Sequence, residues 1–128
     1  MTERRDISLG GTALPGLDRL AEHLRFATQR GRVIAGNLAN IDTPGYRAKD
    51  LKLTERFDRA LDDADGRLRY ETEVEQRDDE VPDQDGNTVS LEAQLSHMDE
   101  NTLHFRSLAE LLSRRIGLLR YAATDGRG

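Results

Sequence analysis

The feature that most constrains this chain is a pair of heptad-spaced apolar rows at opposite ends of the sequence. Leu91, Leu95, Met98, Thr102, Phe105, Ala109, Leu112, Ile116 and Leu119 alternate spacings of four and three, the repeat of a helix that packs lengthwise on a partner helix. Leu108, Leu111 and Leu118 widen that row, and Ser90 stands before it as an N-cap candidate. Leu17, Leu20, Leu24, Ala27, Gly31, Ile34, Leu38 and Ile41 form a second row with the same alternation. Ala27 and Gly31 allow a close approach there, while Gly31 and Gly36 each cost about 1 kcal/mol of helix propensity relative to Ala. The first helix therefore depends on packing.

The fold expected is mainly α: two long terminal helices pairing like a coiled coil, with a short irregular or small-β acidic middle. Residues 1–16 read as a flexible arm broken by Gly10, Gly11, Pro15 and Gly16. Residues 17–122 read as one helical domain with an irregular middle at 47–89, and 123–128 as a tail. The first helix is expected to stop near Asn40, a residue that tolerates the left-handed conformation at helix ends. Thr43-Pro44-Gly45-Tyr46 has Pro second and Gly third, the order of a type II turn. Leu51, Leu53 and Phe57 suggest a short amphipathic segment. Leu68, Tyr70, Thr72 and Val74 alternate with charged residues, the pattern of a half-buried strand. Asp78 to Gly86 reads as a solvated loop. The second helix is expected to end at Tyr121.

Apolar residues are scarce for two exposed rows. The chain of 128 residues is 36% hydrophobic and 34% charged, with mean hydropathy -0.72 and aromatic residues only at Phe26, Tyr46, Phe57, Tyr70, Phe105 and Tyr121. Either the monomer is marginal, or partners complete its apolar surface. The net charge of -5 is divided as +2 over residues 1–50, -10 over 51–100 and +3 over 101–128. No clustered basic face for nucleic acid follows from that division. Basic ends and an acidic middle permit attraction between neighbouring subunits. Cysteine is absent, which removes disulfides and thiolate chemistry. No apolar h-region occurs in the first sixteen residues and no run long enough to span a membrane occurs anywhere.

Catalytic and metal chemistry find little support. His97 and His104 are seven residues apart on one helix, roughly 10 Å along its axis, too far for one ion; these and His23 read as surface residues. Asp83-Gln84-Asp85-Gly86-Asn87 resembles a calcium loop but places Thr88 where Gly is needed and Gln94 where Glu is needed. Asp62-Asp63-Asp65 and Asp78-Asp79-Glu80 lie in the hydrophilic middle with no apolar run to raise a carboxyl pKa. No nucleophile elbow, phosphate loop or dinucleotide fingerprint is present. No enzyme, cofactor or metal is expected.

Residues 35–50 decide the reading. Asn37 and Asn40 share a helix face, and their amides can cap the last helix carbonyls or bridge to another chain. A plain helix cap explains Asn40 and Gly45 but not why Asn37, Thr43 and Tyr46 accompany them. Asn37, Asn40, Thr43, Pro44, Gly45 and Tyr46 together resemble the signature of the bacterial flagellar axial proteins of the rod and hook group. Gly36 departs from the expected pattern. The short middle, Asp85-Gly86-Asn87-Thr88-Val89 before Leu91-Glu92, and Leu118-Leu119-Arg120-Tyr121-Ala122 resemble the proximal rod members of that group. The resemblance implies a structural subunit of the flagellar basal body rod, exported by the flagellar type III route without signal cleavage. Its implied partners are other rod proteins, export-gate or adaptor subunits and copies of itself. The turn residues and the row Leu20, Leu24, Ile34, Leu38, Leu95, Met98, Phe105, Leu112, Ile116 and Leu119 would carry assembly. A generic cytoplasmic coiled-coil adaptor is the alternative, but it has no need of the Thr-Pro-Gly-Tyr turn. A helical-hairpin enzyme subunit lacks a buried polar constellation in the sequence.

Overall fold

A computed structural model describes residues 16–58, 67–77 and 81–125. The arm 1–15, Asp62-Asp63-Asp65, Asp78-Asp79-Glu80 and the last three residues lie outside the described residues, as do the side chains of Phe57, Leu68 and Tyr70. Helix α1 spans Leu17–Ala39, strands β1 and β2 span Lys49–Asp58 and Arg67–Gln76, and helix α2 spans Leu91–Asp125. The two helices thus bracket a two-stranded sheet, the mainly α arrangement expected with a small-β middle.

The helices run antiparallel. Gly16 lies beside Arg115, Gly31 beside Asn101 and Asn37 beside Gln94, so rising numbers on α1 meet falling numbers on α2. At 1.5 Å per residue α2 is about 50 Å long and α1 about 35 Å, so α2 runs on past the start of α1. Ser90 caps α2, accepting from the Ala93 amide at 3.3 Å. The helix continues to Asp125, four residues beyond the expected stop at Tyr121, because neither Ala122, Ala123 nor Thr124 breaks a helix. Thr124 Oγ1 also donates to the Arg120 carbonyl at 2.9 Å.

The pairing face of α2 is only partly apolar. Gln94 and Asn101 are buried against α1, seven residues apart, while Leu91, Leu95, Phe105, Ile116 and Leu119 are exposed. On α1 the buried residues are Leu20, Ala27, Ile34 and Asn37, again seven apart for three of them. The small Ala27 and Gly31 admit Asn101, whose Nδ2 donates to the Ala27 carbonyl at 2.8 Å. The shared core is therefore slim and partly polar: Met98, Leu108, Ala109 and Leu112 of α2 are half-buried beside it, while most of the other Leu and Ile residues of that helix are exposed.

Strands β1 and β2 pair antiparallel from Lys49↔Gln76 to Asp58↔Arg67. Leu51, Leu53 and Phe57, read from the sequence as an amphipathic segment of undefined type, are strand residues. Among the described residues the buried hairpin positions lie at its base: Ala48 and Leu51 are buried, whereas Val74, the residue opposite Leu51, is 55% exposed. The half-buried strand expected at Leu68–Val74 forms, but its Val74 end is open to solvent, because the helix that covers Leu51 on the same face does not reach across to β2. A two-stranded ribbon is marginal alone, so the hairpin depends on its attachment to the helices.

Candidate functional site

That attachment is a polar joint built from the motif residues. After Ala39 the backbone must reverse direction and feed β1. Asn40 ends α1 with φ -108, not the left-handed value its type allows, because its side chain does the capping instead: Nδ2 donates to the Gly36 carbonyl at 2.8 Å. Thr43 Oγ1 then donates to Asn40 Oδ1 at 3.1 Å. The Tyr46 amide donates to the Thr43 carbonyl at 3.2 Å, closing the turn, and Gly45 has φ 71. Pro second and a positive φ third make this a type II turn.

Asn37 is the centre of the joint. It is 1% exposed. Its Oδ1 accepts from the Lys49 amide at 3.0 Å and from Tyr46 Oη at 3.4 Å. Its Nδ2 donates to the Lys49 carbonyl at 2.7 Å and to Gln94 Oε1 at 2.9 Å. One amide therefore ties α1 to the first residue of β1, to the turn and to α2, with all its bonding capacity used.

Two further residues, Asn87 and Thr88, complete the joint from the other side. Asn87 Nδ2 reaches the carbonyls of Asn40, Ile41 and Thr43 at 3.0, 3.0 and 2.6 Å, and its Oδ1 accepts from the Val89 amide at 2.7 Å. Thr88 donates its amide to the Tyr46 carbonyl and accepts from the Ala48 amide at 2.8 Å. The Gly45 amide donates to the Asp85 carbonyl at 2.9 Å. Asp83 shapes this second loop, its Oδ1 accepting from the Asp85 and Asn87 amides, both at 2.9 Å. Residues 81–86 of the loop read from the sequence as solvated are exposed, two buried residues, Asn87 and Thr88, follow it directly, and the Asp83 carboxylate is committed to loop amides rather than posed for a cation. Among the described residues no group of three or more His, Cys, Asp or Glu is placed to hold a metal.

An ionic cluster braces the same region. Arg30 grips Asp50 through two hydrogen bonds, 2.9 and 3.1 Å, a fork-to-carboxylate geometry. Arg77 adds a second cation 3.7 Å from Asp50 and contacts His97 on α2. Glu100 lies 3.8 Å from Arg30. Burial opposes ionisation of Asp50, but the hydrogen bonds from Arg30 and Leu51 and the charges of Arg30 and Arg77 outweigh it, so its pKa falls below the usual carboxylate value. The Asp50 hydrogen bond likewise raises the Arg30 pKa against the opposing effect of burial.

Of the residues singled out in the sequence, Asn37 is buried, Asn40 and Tyr46 are half-buried, and Thr43, Pro44 and Gly45 are exposed. Leu20 and Ile34 are buried, Leu24, Leu38, Met98 and Leu112 are half-buried, and Leu95, Phe105, Ile116 and Leu119 are exposed. The turn residues meet in one place, whereas the apolar residues of α2 stay mostly outside the subunit. Sequence reading missed Asn87, Thr88, Gln94, Asn101 and the Arg30–Asp50 pair as structural residues. The signal for Gln94 and Asn101 was their own spacing of seven beside the apolar row; no local signal links Arg30 to Asp50 or Asn87 to the turn.

No family model matches the chain. Curated relatives do. The flagellar basal body rod protein FlgB of Bacillus subtilis (strain 168) is 26% identical over 126 residues, covering 87% of this chain and 95% of that protein. FlgB of Escherichia coli (strain K12) is 27% identical over 126 residues, covering 78% and 91%. FlgB of Cereibacter sphaeroides is 31% identical over 109 residues, covering 75% of this chain and 84% of that protein. With that identity across most of both chains, and the turn motif sitting at the joint of the fold, the chain belongs to the FlgB family of flagellar basal body rod proteins.

Proposed function

We propose that the chain is a non-enzymatic structural subunit of the proximal rod, in which it assembles with copies of itself, other rod proteins and export-gate or adaptor subunits to carry torque from motor to hook. The observation that carries this reading is the apolar row of α2 left outside the subunit's own core, with Leu95, Phe105, Ile116 and Leu119 exposed together along one helix. Monomers rarely leave such a contiguous row uncovered, and in a wall of side-by-side helices each neighbour would cover part of it. At roughly 25 cal/mol per Å² of apolar area, contacts that are weak singly become stable when several act at once.

Torque requires that subunits hold their shape under load. The joint of Asn37, Tyr46, Asn87 and Thr88 suits that need, since it fixes the angle between α1, the hairpin and α2 by hydrogen bonds with specific directions. Residues 17–122 act as the rod-forming domain, with the segments before and after them serving assembly. Export proceeds through the flagellar type III route without signal cleavage, and the slim, partly polar core lowers the cost of unfolding for passage. No helix among the described residues is long and apolar enough to cross a membrane.

The test is a deletion strain. Basal bodies purified from it should lack the rod, and plasmid-borne wild-type chain should restore it. Rods of normal length in the deletion strain would overturn the proposal.

A further inference from the structure

The exposed row of α2 is not electrically uniform. From Leu91 to His104 the helix carries Glu92, Asp99 and Glu100 and no Lys or Arg; beyond Phe105 it carries Arg106, Arg114, Arg115 and Arg120 against Glu110 and Asp125. A helix dipole favours acids in the first turn and bases in the last, but its influence fades within that turn. It does not account for Asp99, Arg106 or Arg114, which lie in the interior.

The basic half borders a groove of about 860 Å³ between the helices. Leu24 of α1 and Phe105, Ala109, Leu112 and Ile116 of α2 form its apolar floor. Arg25, Arg32 and Arg120 stand on its rim. Arg25 is paired with Glu22, but Arg32 and Arg120 are in no ion pair among the described residues. An apolar trough with cationic edges selects an apolar helix row flanked by carboxylates.

The chain presents such a row at the other end of α2. Leu91 and Leu95 are 52% and 48% exposed. Asp99 continues their line four residues on, and Glu92 flanks it; both are exposed. Glu100, by contrast, turns toward Arg30 and His97 of its own subunit.

We propose that the groove of one copy receives the acidic end of α2 from a second copy, with Leu91 and Leu95 on the apolar floor and Glu92 and Asp99 against Arg32 and Arg120. This rests on the assembly role proposed above and adds the contact through which like copies meet. Donor row and acceptor groove are different surfaces of one chain. Each copy therefore gives and receives at once, and the contact repeats head to tail instead of closing on itself.

Sedimentation of the full-length chain tests this, with helix content checked by circular dichroism. At about 50 mM salt the parent should grow past dimers as concentration rises, and about 0.5 M salt should weaken the growth by screening. The Arg32→Glu/Arg120→Glu variant and the Glu92→Lys/Asp99→Lys variant should each associate about ten-fold more weakly than the parent. An equimolar mixture of the two should associate more tightly than either alone, because the reversed charges match again across the contact. All four positions are exposed, so unchanged helix content is expected. A parent that stays monomeric or stops at a dimer, reversed variants that associate like the parent, or a mixture that shows no recovery would each overturn the proposal. The deletion strain reads a different outcome: rods lost there with no charge dependence here would leave the rod assignment standing and remove this contact.

Discussion

Asn87→Ala is the sharpest test of the joint. In the folded chain its side-chain nitrogen serves three carbonyls with two protons, and its oxygen accepts from the Val89 amide. Truncation removes two donated bonds and one accepted bond. At about 1 kcal/mol net for each, the loss is about 3 kcal/mol. The shallow opening lined by Ile41, Thr43 and Asn87 lets water reach some of the orphaned carbonyls, which brings the figure nearer 2. Hydrogen exchange reads it directly at the Gly45 and Thr88 amides, which bond across the two loops to Asp85 and Tyr46. Opening of the joint exposes both, so their protection should fall about 30- to 100-fold, while mid-helix amides of α1 change little. Asn87→Asp should be at least as damaging, because a carboxylate oxygen would face three carbonyl oxygens in place of a donor. Unchanged protection at Gly45 and Thr88 in Asn87→Ala would refute the idea that this side chain holds the loops together.

Other perturbations separate geometry, charge and register. Gly45→Val meets no atom within 4 Å but must adopt φ 71, a cost of about 1 kcal/mol or more from backbone strain alone; exported subunit without rods on isolated rings is the expected phenotype, with Gly45→Ala milder. Because the Asp50 pKa is depressed in the folded chain, its contribution to stability is complete above about pH 4 and is lost as pH falls through the folded value. Denaturant melts of wild type and Asp50→Asn should therefore differ at pH 6 and converge toward pH 2; a constant gap would contradict the assignment. Asn101→Leu removes a buried amide whose Oδ1 has no partner, and the Ala27 carbonyl it leaves lies within a helix ladder. Thermal melting should rise by a few degrees, about 1 kcal/mol, and a large fall would mean that Asn101 sets the helix register.

Much of the fold was legible because its signals are local. Alternating spacings of three and four announce a helix whatever lies opposite, Ser90 starts α2 by bonding three residues ahead, and Pro44-Gly45 specifies its turn through the φ values those two residues prefer. The motif from Asn37 to Tyr46 could likewise be found in the sequence, though only the folded chain reveals that Asn37 joins three elements. What tertiary structure decided is which face of α2 turns inward. Hydrophobic spacing selected a row of which Met98, Ala109 and Leu112 are half-buried and Leu91, Leu95, Phe105 and Ile116 exposed, yet the fully buried contacts of α2 are Gln94 and Asn101, because Asn37 offers Gln94 a bonded amide and Ala27 with Gly31 leave room for Asn101. Such complementarity depends on residues 57 and 74 positions apart, and no periodicity along one segment encodes it. The partnership of Asn87 with the turn and of Arg30 with Asp50 is of the same kind: single polar side chains gain their meaning from the carbonyls and charges the fold brings to them.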